Sequence, residues 1–442
     1  MSRAYYPMYD CMSSAAPLPQ QADVVIAGAG IMGCAAAYYL SNRGLSVVVC
    51  DKAGIASQQS SRAWGFVRQQ MRDPAEVPLM KAAISVWQGL EVELQTSLEW
   101  IQAGCLYSAD DEAQMARFDS WLAIAREHEL DTCLLASKQV NALMPALGKR
   151  ALGGLYTASD GQAEPRRVTA AFAQRARERG VYFAEGCGVT GIDTQAGFIS
   201  GVETERGYIS TRRLVVAAGA SSWRLLKAVG LIIPQQVVRC TVSRTSAGPQ
   251  VGGTTYIGHG VGFRQRRDGS FNIADGTRAI LDVSFDLLRG ARWYLPLLAR
   301  HGGMFNLSFK NDVVRDLSQR WRSGPPLLGE RDPHARPDPT SVTSAIRSLI
   351  EAFPELKDVR VVESWGGMID VLPDGIPIID ATPEVPGLVI ATGFCGHGFA
   401  LGPMVGQVIA ELVEKGASSF DLHRLRLRRF IEGDIGRPMS LY

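Results

Sequence analysis

Three glycines and one aspartate near the start of the chain have the spacing of a dinucleotide site. Gly28, Gly30 and Gly33 form the pattern GxGxxG within "VVIAGAGIMGCAAAYYL", and Asp51 follows the next apolar run. In this pattern the first glycine makes a tight turn, the second lets the backbone approach a pyrophosphate, and the third allows close packing of helix on strand. Asp51 can accept hydrogen bonds from ribose hydroxyls. The pattern predicts a bound dinucleotide and does not distinguish NAD from FAD.

The elements around these residues must form a β-α-β unit if they are to bind a dinucleotide. Residues 24–27 are a short apolar run, as expected for a buried parallel strand. Residues 31–43 are predicted to be a helix that ends before Gly44, and residues 46–50 are predicted to be the second strand. The helix would begin at the glycine turn, so its N-terminal N–H groups would face the phosphates.

Composition limits the classes of protein to consider. The chain has 442 residues, which predicts two domains, and a formal net charge of +2, which gives no reason to expect a nucleic-acid partner. Eight cysteines and six histidines are scattered without metal-ligand spacing, so we expect free thiols, a reducing compartment and no metal site. Residues 1–22 lack the apolar stretch of a signal peptide and are expected to be a polar arm. Since no long apolar run occurs, we expect no spanning helix and a cytoplasmic protein.

The order of the segments predicts two interleaved domains. Segments of the nucleotide-binding type occur near both ends of the chain and in its middle, with β-rich and helical segments between them. We therefore expect an α/β fold in which a Rossmann-like domain is interleaved with a β-sheet substrate domain that carries a helical insertion. The Rossmann-like domain is predicted to comprise residues 22–75, 150–229 and 365–440. The substrate domain is predicted to comprise residues 76–149 and 230–364, with the insertion at about 280–325.

Four segments together indicate a family. They are "GAGIMG" at 28–33, "SSRAWGFVRQQ" at 60–70, "RRLVVAAGASSW" at 212–223, and the pair "WGGMIDVLPDGIPIID" and "ATGFCGHGFALGP" within 365–403. With these motifs the chain resembles, from about residue 23 to 416, the FAD-dependent amino-acid and amine oxidoreductases that include D-amino-acid oxidase, glycine oxidase and sarcosine oxidase. Within that group it is most similar to the bacterial L-amino-acid deaminases. The resemblance implies that the dinucleotide is FAD and that the Rossmann-like domain is an FAD-binding domain.

The resemblance also implies a noncovalent FAD that is held along most of its length. The glycine loop after residue 392 would follow the ribityl chain and the pyrimidine end of the flavin, residues 60–62 would cap the pyrophosphate, and residues 189 and 218–223 would lie at the adenosine side. The chain departs from the family pattern with Asp51 in place of Glu and Cys395 in place of Ser, and it has no clear match to the attachment cysteine of sarcosine oxidases. The cofactor residues expected on this basis are Gly28, Gly30, Ile31, Met32, Gly33, Asp51, Lys52, Ser60, Ser61, Arg62, Val189, Ala218, Gly219, Trp223, Gly367, Gly393, Gly396, His397, Gly398 and Phe399.

Oxidation of an amine by a flavin requires a well-positioned substrate rather than a strong acid or base. The substrate carboxylate is best held by an arginine fork. In "GFRQRRDGS" the alternation of a strand places Gly262, Arg264 and Arg266 on one face. Arg264 is therefore the predicted anchor, with Arg278 as a reserve candidate, although an exposed hairpin arginine would show the same pattern. The remaining predicted catalytic residues are Gln69 and Gln70, which could reach the substrate or the flavin edge, Trp365, which with Met368 could form a wall near the ring, and His397.

The predicted function is FAD-dependent oxidative deamination of an amino acid, with the imine hydrolysed to a keto acid and ammonia. Oxidation of a secondary amine, such as a cyclic imino acid, an N-methyl amino acid or an opine, and oxidation of a D-amino acid remain open. A flavoprotein subunit of a larger dehydrogenase is a further alternative, whereas an NAD-dependent dehydrogenase would leave the C-terminal motif unexplained. The electron acceptor is expected to be oxygen or a quinone. The insertion matches in position a membrane-associated module of the deaminases, which predicts peripheral contact with the inner face of the membrane.

Overall fold

The structure is a computed structural model, and it describes residues 17–275, 279–282, 290, 292–294, 305–308, 328–436 and 438. Arg278, most of the predicted insertion at 280–325 and most of the predicted polar arm at 1–22 lie outside the described residues. None of the helices in the described ranges combines the length and the apolar character that crossing a membrane requires.

Helices and strands alternate along most of the described chain. The helices are α1 Ile31–Ser41, α2 Gln59–Arg62, α3 Val77–Glu93, α4 Glu112–Glu127, α5 Ser137–Leu143, α6 Pro165–Glu178, α7 Ser222–Ala228, α8 Pro339–Ala352, α9 Gly398–Lys415 and α10 Arg429–Glu432. The strands are β1 Val24–Ala27, β2 Val47–Asp51, β3 Phe66–Val67, β4 Cys105–Ala109, β5 Thr132–Ala136, β6 Gly153–Thr157, β7 Gly161–Gln162, β8 Tyr182–Glu185, β9 Val189–Gln195, β10 Phe198–Thr204, β11 Gly207–Ser210, β12 Leu214–Val216, β13 Gln236–Thr245, β14 Thr255–Gly258, β15 Val261–Gln265, β16 Phe271–Asp275, β17 Ala279–Asp282, β18 Phe305–Ser308, β19 Val361–Val371, β20 Ile378–Ala381 and β21 Leu388–Thr392.

A six-stranded sheet in the order β20-β21-β12-β1-β2-β8 carries the nucleotide-type segments. Five of its strands run parallel, and β20 joins the edge antiparallel to β21. The strands β1, β12 and β21 are buried throughout, as expected for parallel strands that are covered on both faces. Because β1 pairs with β2 on one side and with β12 on the other, the topology switches at β1 and creates a ligand crevice at its carboxyl end.

Small residues bring the N-termini of α1 and α9 to the same edge of this sheet. A Cβ on Gly406 would lie 2.6 Å from the Cβ of Ala35, and a Cβ on Gly402 would lie 2.3 Å from the side chain of Ile31. The residues of α1 up to Leu40 are all buried. This close contact places two helix N-termini, each with unsatisfied N–H groups, beside the crevice.

A larger sheet has the order β18-β17-β13-β16-β15-β14-β4-β6-β5, and the long strand β19 pairs along β13. The antiparallel register of β13 and β19 extends from Gln236 opposite Val371 to Thr245 opposite Val361. The strand β6 belongs to this sheet, although it falls within residues 150–229 of the predicted FAD-binding domain. The division of the chain into domains therefore stays a prediction.

The elements predicted around the glycine pattern occur with small differences at their ends. α1 ends at Ser41 rather than at residue 43, and β2 covers 47–51 rather than 46–50. α9 begins at Gly398 and contains Pro403 in its second turn. A proline at this position removes one helix hydrogen bond and crowds the carbonyl four residues before it. The predicted α/β fold class is confirmed.

Candidate active site

The turn between β1 and α1 is glycine-rich because a Cβ at each of three positions would come too close to a neighbouring atom. Gly28 has a φ of +114°, and a Cβ on it would lie 2.4 Å from the carbonyl oxygen of Ala217. A Cβ on Gly33 would lie 1.9 Å from the carbonyl oxygen of Gly28, so only glycine lets α1 pack this close to the turn. A Cβ on Gly30 would lie 3.2 Å from the hydroxyl oxygen of Ser60, on the side that faces a cavity. These contacts agree with the turn and packing roles predicted from the pattern.

A cavity of about 520 Å³ begins at the carboxyl ends of β1, β2 and β12 and extends past β19 to the larger sheet. We call the part beside Gly28, Asp51 and Ala218 the nucleotide end, and the part formed by Arg68, Arg72, Tyr107 and Ile257 the arginine end. The predicted cofactor residues that line this cavity are Gly28, Gly30, Ile31, Met32, Asp51, Lys52, Ser60, Arg62, Val189, Ala218, Gly219, Gly367, Gly396, Gly398 and Phe399. The predicted cofactor residues that do not line it are Gly33, Ser61, Trp223, Gly393 and His397.

Asp51 is held in a fixed orientation at the nucleotide end. One carboxylate oxygen accepts a hydrogen bond from the Ala29 N–H at 2.7 Å, and the other accepts one from the Ala53 N–H at 2.8 Å. Burial raises the pKa of this carboxyl group above the usual value of an aspartate, while the two N–H groups act in the opposite direction. Each oxygen keeps a second lone pair, so the carboxylate can still accept hydroxyl hydrogen bonds from the cavity.

Side chains of the segment around α2 cover the first turn of α1. The Ser60 hydroxyl accepts a hydrogen bond from the Ile31 N–H at 2.8 Å, which satisfies one N–H at the N-terminus of α1. Arg62 donates to the carbonyl oxygens of Ser57 at 3.1 Å and Pro333 at 3.3 Å. The Ser61 hydroxyl instead donates to the Gln58 carbonyl at 3.1 Å and points within its own segment. Ser60 and Arg62 are therefore in place to face a pyrophosphate.

Lys52 and Trp223 also lie at the nucleotide end, with different degrees of access to the cavity. The Lys52 ammonium donates to the Ser221 hydroxyl at 3.0 Å and to the carbonyl oxygens of Leu328 and Glu330, both at 2.7 Å. Burial lowers the pKa of Lys52 to about 8. The Trp223 backbone N–H donates to the side chain of Gln235 at 3.1 Å. Lys52 thus lines the cavity with its three ammonium donors taken up by the protein, whereas Trp223 does not line it.

The loop between β21 and α9 has three residues with a positive φ. Gly393, Cys395 and Gly396 have φ values of +74°, +50° and +83°. The Cys395 thiol is buried, accepts a hydrogen bond from the Leu372 N–H at 3.4 Å and donates to the Gly393 carbonyl at 3.2 Å. A thiol at this position is therefore accounted for by packing.

Asp370 is a buried carboxylate on the cavity wall that sequence analysis missed. Its Oδ2 accepts hydrogen bonds from Gln235 Nε2 at 2.9 Å, from the Thr392 hydroxyl at 3.3 Å and from the Gly393 N–H at 2.8 Å. The same amide and hydroxyl also donate to the Gly219 carbonyl oxygen, each at 3.1 Å. Asp370 thus joins two loops of the nucleotide end. Its only sequence signal was an acid near the end of the "WGGMID" strand.

His397 precedes α9 between two glycines that line the cavity, yet its own ring is buried beside Glu76. Nδ1 of His397 lies 3.1 Å from a carboxylate oxygen of Glu76. Burial lowers the pKa of His397 well below its usual value, and Arg72 and Arg68 act in the same direction. The ring is therefore neutral at pH 7, and its position supports the glycine loop rather than direct contact with the cavity.

The structure places Arg264 elsewhere than predicted. Its guanidinium donates to a carboxylate oxygen of Glu164 at 2.8 Å and to the Trp64 carbonyl oxygen, and it does not line the cavity. Arg266 also pairs with Glu164, at 3.2 Å, so the predicted alternation of the strand is right. Burial alone would raise the pKa of Glu164, but the two guanidiniums lower it below the usual value. Because Glu164 and the Trp64 carbonyl oxygen take up donors of Arg264, this geometry does not favour Arg264 as the anchor of a substrate carboxylate, and that role stays a prediction.

The other predicted catalytic side chains also have partners within the protein. Gln69 donates to the Ser159 hydroxyl at 2.7 Å, Gln70 donates to the Cys105 carbonyl at 3.0 Å, and the indole N–H of Trp365 donates to the Arg62 carbonyl at 3.1 Å. None of these three side chains lines the cavity. Their predicted roles as substrate or flavin contacts therefore stay predictions that this geometry does not favour, whereas Met368 lines the cavity.

Two arginines line the arginine end of the cavity, and sequence analysis did not single them out. The Arg68 guanidinium donates to the Gln70 carbonyl at 2.7 Å and lies 5.5 Å from the centre of the Tyr107 ring. Arg72 donates from Nε to the Arg68 carbonyl at 3.4 Å, and its buried Nη1 finds no hydrogen-bond partner among the described residues. Burial, together with the charge of Arg68, lowers the pKa of Arg72 to about 9. Both residues lie in the loop between β3 and α3, where the sequence offers no means of ranking one arginine above another.

Comparison with known proteins identifies a family model and several proteins that are similar to this chain. The family model "FAD dependent oxidoreductase" (DAO) matches residues 23–412. Sarcosine oxidase subunit beta of Rhizobium meliloti (strain 1021) is 29% identical over 420 residues, covering 93% of this chain and 89% of that protein. Among solved structures, L-amino acid deaminase from Proteus vulgaris has a TM-score of 0.89 at 26% identity and covers 95% of this chain and 99% of that one. The deaminase from Proteus myxofaciens, solved with anthranilate, has a TM-score of 0.88 at 26% identity and 95% coverage of both chains.

The family match covers most of the chain, and the chain belongs to the DAO family of FAD-dependent oxidoreductases. The cavity fits that cofactor, since a glycine turn, a fixed carboxylate and two helix N-termini meet at its nucleotide end. The predicted family, fold class and enzyme class, an FAD-dependent oxidoreductase of amino acids or amines, are confirmed.

Proposed function

We propose that this chain binds FAD noncovalently and oxidises the carbon–nitrogen bond of an α-amino acid to an imine, which water hydrolyses to a keto acid and ammonia. When bound, the flavin supplies the acceptor for a hydride from the α-carbon. The observation that carries the proposal is the arginine pair Arg68 and Arg72, which lines the same cavity as the glycine turn. A cationic pair in the cofactor cavity is suited to a substrate carboxylate.

Arg72 is the stronger of the two candidates for the carboxylate anchor. Its Nη1 is buried without a hydrogen-bond partner among the described residues, and a buried donor in this state is costly unless a ligand satisfies it. Arg68 already donates from Nη1 to the Gln70 carbonyl, so it is fixed in direction beside Tyr107. In this proposal Arg72 forms the main ion pair and Arg68 adds charge and orientation.

Apolar side chains at the same end are suited to the side chain of the substrate. Tyr107, Ile257, Met71 and Met368 line the cavity together with the arginines. This combination favours a substrate with one carboxylate and a sizeable apolar group over one with a methyl group alone. Anthranilate, which accompanies the related deaminase from Proteus myxofaciens, is an aromatic carboxylate of this kind.

Noncovalent attachment of the flavin is supported by the state of the thiols on the cavity wall. Cys50 and Cys240 line the cavity. Burial raises the pKa of Cys240 to about 12 and raises that of Cys50 further. A thiol that stays protonated is a poor nucleophile, so neither residue is expected to attach to the cofactor. Precipitation with acid should release all flavin absorbance into the supernatant.

A second candidate function is oxidation of a secondary amine by a chain that works with a partner subunit. It is favoured by the 29% identity to a protein named sarcosine oxidase subunit beta, over 93% of this chain. The same cavity and arginine pair would serve both reactions. The electron acceptor would be oxygen or a quinone for a chain that acts alone, or a further centre for a chain within a complex. Membrane contact through residues 280–325 stays a prediction.

One experiment tests the proposal and separates the two candidates. The purified yellow protein is mixed without oxygen with L-amino acids, D-amino acids and secondary amino acids, and bleaching of the flavin absorbance is followed. Bleaching by primary amino acids, with release of ammonia after reoxidation, supports deamination. Bleaching by secondary amino acids alone, without ammonia, supports the second candidate. A protein that holds FAD but is reduced by no member of the panel contradicts both.

A further inference from the structure

A buried pair of side chains, Glu76 and His397, lies beside the arginine end and is not used in the proposed reaction. Glu76 immediately precedes α3 and His397 immediately precedes α9, and they are 0% and 2% exposed. Nδ1 of His397 lies 3.1 Å from Oε2 of Glu76. Nε2 of the same ring is buried and has no hydrogen-bond partner among the described residues. Burial opposes a change of net charge on this pair. The pair can therefore gain or lose a proton only where nearby charges compensate for that change.

Charged and titratable groups face this pair from several elements. Arg68 and Arg72 act on both members from the segment before α3. Asp73 acts on Glu76 from the turn before α3, and the Cys395 thiol faces Glu76 from the glycine loop.

Asp160 approaches the same arginines from the turn between β6 and β7. It differs from Glu76 in its partners, since it accepts hydrogen bonds from the backbone N–H of Gln69 at 2.8 Å and from its side chain at 3.2 Å. Burial nevertheless raises the pKa of Asp160 to about 7, and these donors only oppose that rise, so Asp160 is the competing site for a proton that a control must test. Glu76 has His397 beside it, whose ring nitrogen can either donate or accept.

The pair can gain a proton without losing its hydrogen bond. When Glu76 is ionised and His397 is neutral, the Nδ1–H donates to the carboxylate and Nε2 carries no hydrogen. An added proton can be placed on the carboxyl group, which then donates to Nδ1 and leaves the ring hydrogen on Nε2. It can also be placed on the ring, which then carries hydrogen on both nitrogens. In either description Nε2 gains a hydrogen, so this atom reports the proton content of the pair.

The positive charge of Arg68 and Arg72 determines whether the protonated or the unprotonated form of the pair is more stable. Burial raises the pKa of Glu76 to about 7, and Arg72 and Arg68 oppose that rise. A carboxylate bound at the arginine end would offset their positive charge and weaken this opposition, so the protonated form of the pair would become more stable. We propose that Glu76 and His397 take up one proton when a carboxylate occupies the arginine end of the cavity, and thereby act as positioning residues for substrate binding. This inference rests on the carboxylate site of the proposed function and extends it.

The coupling predicts the direction in which the affinity for a carboxylate changes with pH. Below about pH 7 the pair already holds the extra proton, so binding of a carboxylate needs none from solution. Above that pH the proton must be taken up, and affinity for the carboxylate should fall by up to about tenfold per pH unit. Without the coupling, the affinity of a ligand that stays ionised would not depend on this pair.

Benzoate is a suitable probe because it has a carboxylate, lacks an amine and stays ionised between pH 6 and pH 9. The FAD-loaded protein is titrated with benzoate in a calorimeter at pH 8 and at pH 6, each in two buffers with different heats of ionisation. We expect an uptake approaching one proton at pH 8 and close to none at pH 6. Glu76→Gln should abolish the uptake at pH 8, and the matched control Asp160→Asn should retain it.

A second measurement on the unaltered protein guards against a variant that fails to fold. With ¹⁵N-labelled histidine, the Nε2 resonance that disappears in His397→Asn should move from the unprotonated to the protonated range when benzoate binds at pH 8. Benzoate binding without proton uptake, an Nε2 that stays unprotonated, or uptake lost in Asp160→Asn but kept in Glu76→Gln would each overturn the inference. If benzoate fails to perturb the flavin spectrum, the carboxylate site and the coupling are both wrong. Bleaching of the flavin by amines then decides separately whether the oxidation stands.

Discussion

The two ends of the cavity are built from different parts of the chain. The nucleotide end is made largely of backbone, with Gly28 and Gly33 allowing contacts that a single Cβ would block. The arginine end is made of long side chains, and Arg68 and Arg72 reach it from a loop without regular structure. A backbone site depends on residues close together in sequence, whereas a side-chain site depends on which distant partners have already been satisfied.

The arginines of this protein show the consequence of that difference. Arg264 and Arg72 are both buried guanidiniums, with exposed fractions of 1% and 3%. Arg264 has a carboxylate partner 2.8 Å away, while Arg72 has a nitrogen without a partner among the described residues. The first stabilises the fold and the second remains available for a ligand. Only the three-dimensional position of Glu164 distinguishes them.

The most complete loss of cofactor is expected at the backbone-built end, from Gly33→Ala. The added Cβ would lie 1.9 Å from the Gly28 carbonyl oxygen, and neither α1 nor the turn can move without losing the close packing. Overpacking of this kind costs about 1–3 kcal/mol or more, and here the displaced atom belongs to the cofactor turn. We expect purified Gly33→Ala to contain little or no flavin, as measured by absorbance against protein concentration.

The matched control for that substitution is Gly89→Ala. Gly89 lies within α3, and a Cβ on it would have no neighbour within 4 Å. Because alanine favours a helix over glycine by about 0.5–1 kcal/mol, this variant should keep its flavin and unfold at the same or a higher temperature. Full flavin occupancy in Gly33→Ala would show that the turn does not approach the cofactor as proposed.

The next effect, Arg264→Ala, should act on stability and hardly on substrate. Removing one partner of a buried ion pair typically costs about 3–5 kcal/mol, and the lower figure applies here because Arg266 still reaches Glu164 at 3.2 Å. Chemical denaturation should show this loss, while the folded fraction keeps the KM of the unaltered enzyme. A rise in KM without loss of stability would restore Arg264 to the role first predicted for it.

Arg72→Ala should show the reverse pattern. Loss of the partner of a buried carboxylate costs about 2–5 kcal/mol in binding, so the apparent KM should rise steeply. Flavin content and the unfolding midpoint should change little, because Arg72 gives up only a long hydrogen bond to the Arg68 carbonyl at 3.4 Å. Arg72→Lys should recover part of the loss, since an ammonium cannot form a bidentate fork. An unchanged KM in both variants would mean that the substrate carboxylate, if there is one, binds elsewhere.

These contrasts explain which parts of the fold and of the site could be predicted from the sequence. The β-α-β unit and the family were predictable because the glycines, Asp51 and the strands that position them lie within one short stretch. The face of Arg264 was also predictable, since strand alternation is local. Its partner was not, because Glu164 is a hundred residues away along the chain. Asp370, Glu76 and Arg72 were missed for the same reason, as their importance arises from contacts between separate elements.

The smallest effect is expected for Asp51, whose side chain accepts hydrogen bonds from backbone N–H groups at the nucleotide end. Asp51→Ala removes the acceptor for ribose hydroxyls, and hydrogen bonds of this kind to a charged group contribute about 1–3 kcal/mol. It also leaves the Ala29 and Ala53 N–H groups without their carboxylate, so the protein without FAD should itself be less stable. Asp51→Glu keeps the charge and is expected to retain most of the FAD affinity. Fluorescence titration of the cofactor-free variants with FAD separates the two contributions. If Asp51→Ala lowers the unfolding temperature but binds FAD with unchanged affinity, the carboxylate stabilises only the turn. The backbone alone would then bind the nucleotide part of FAD.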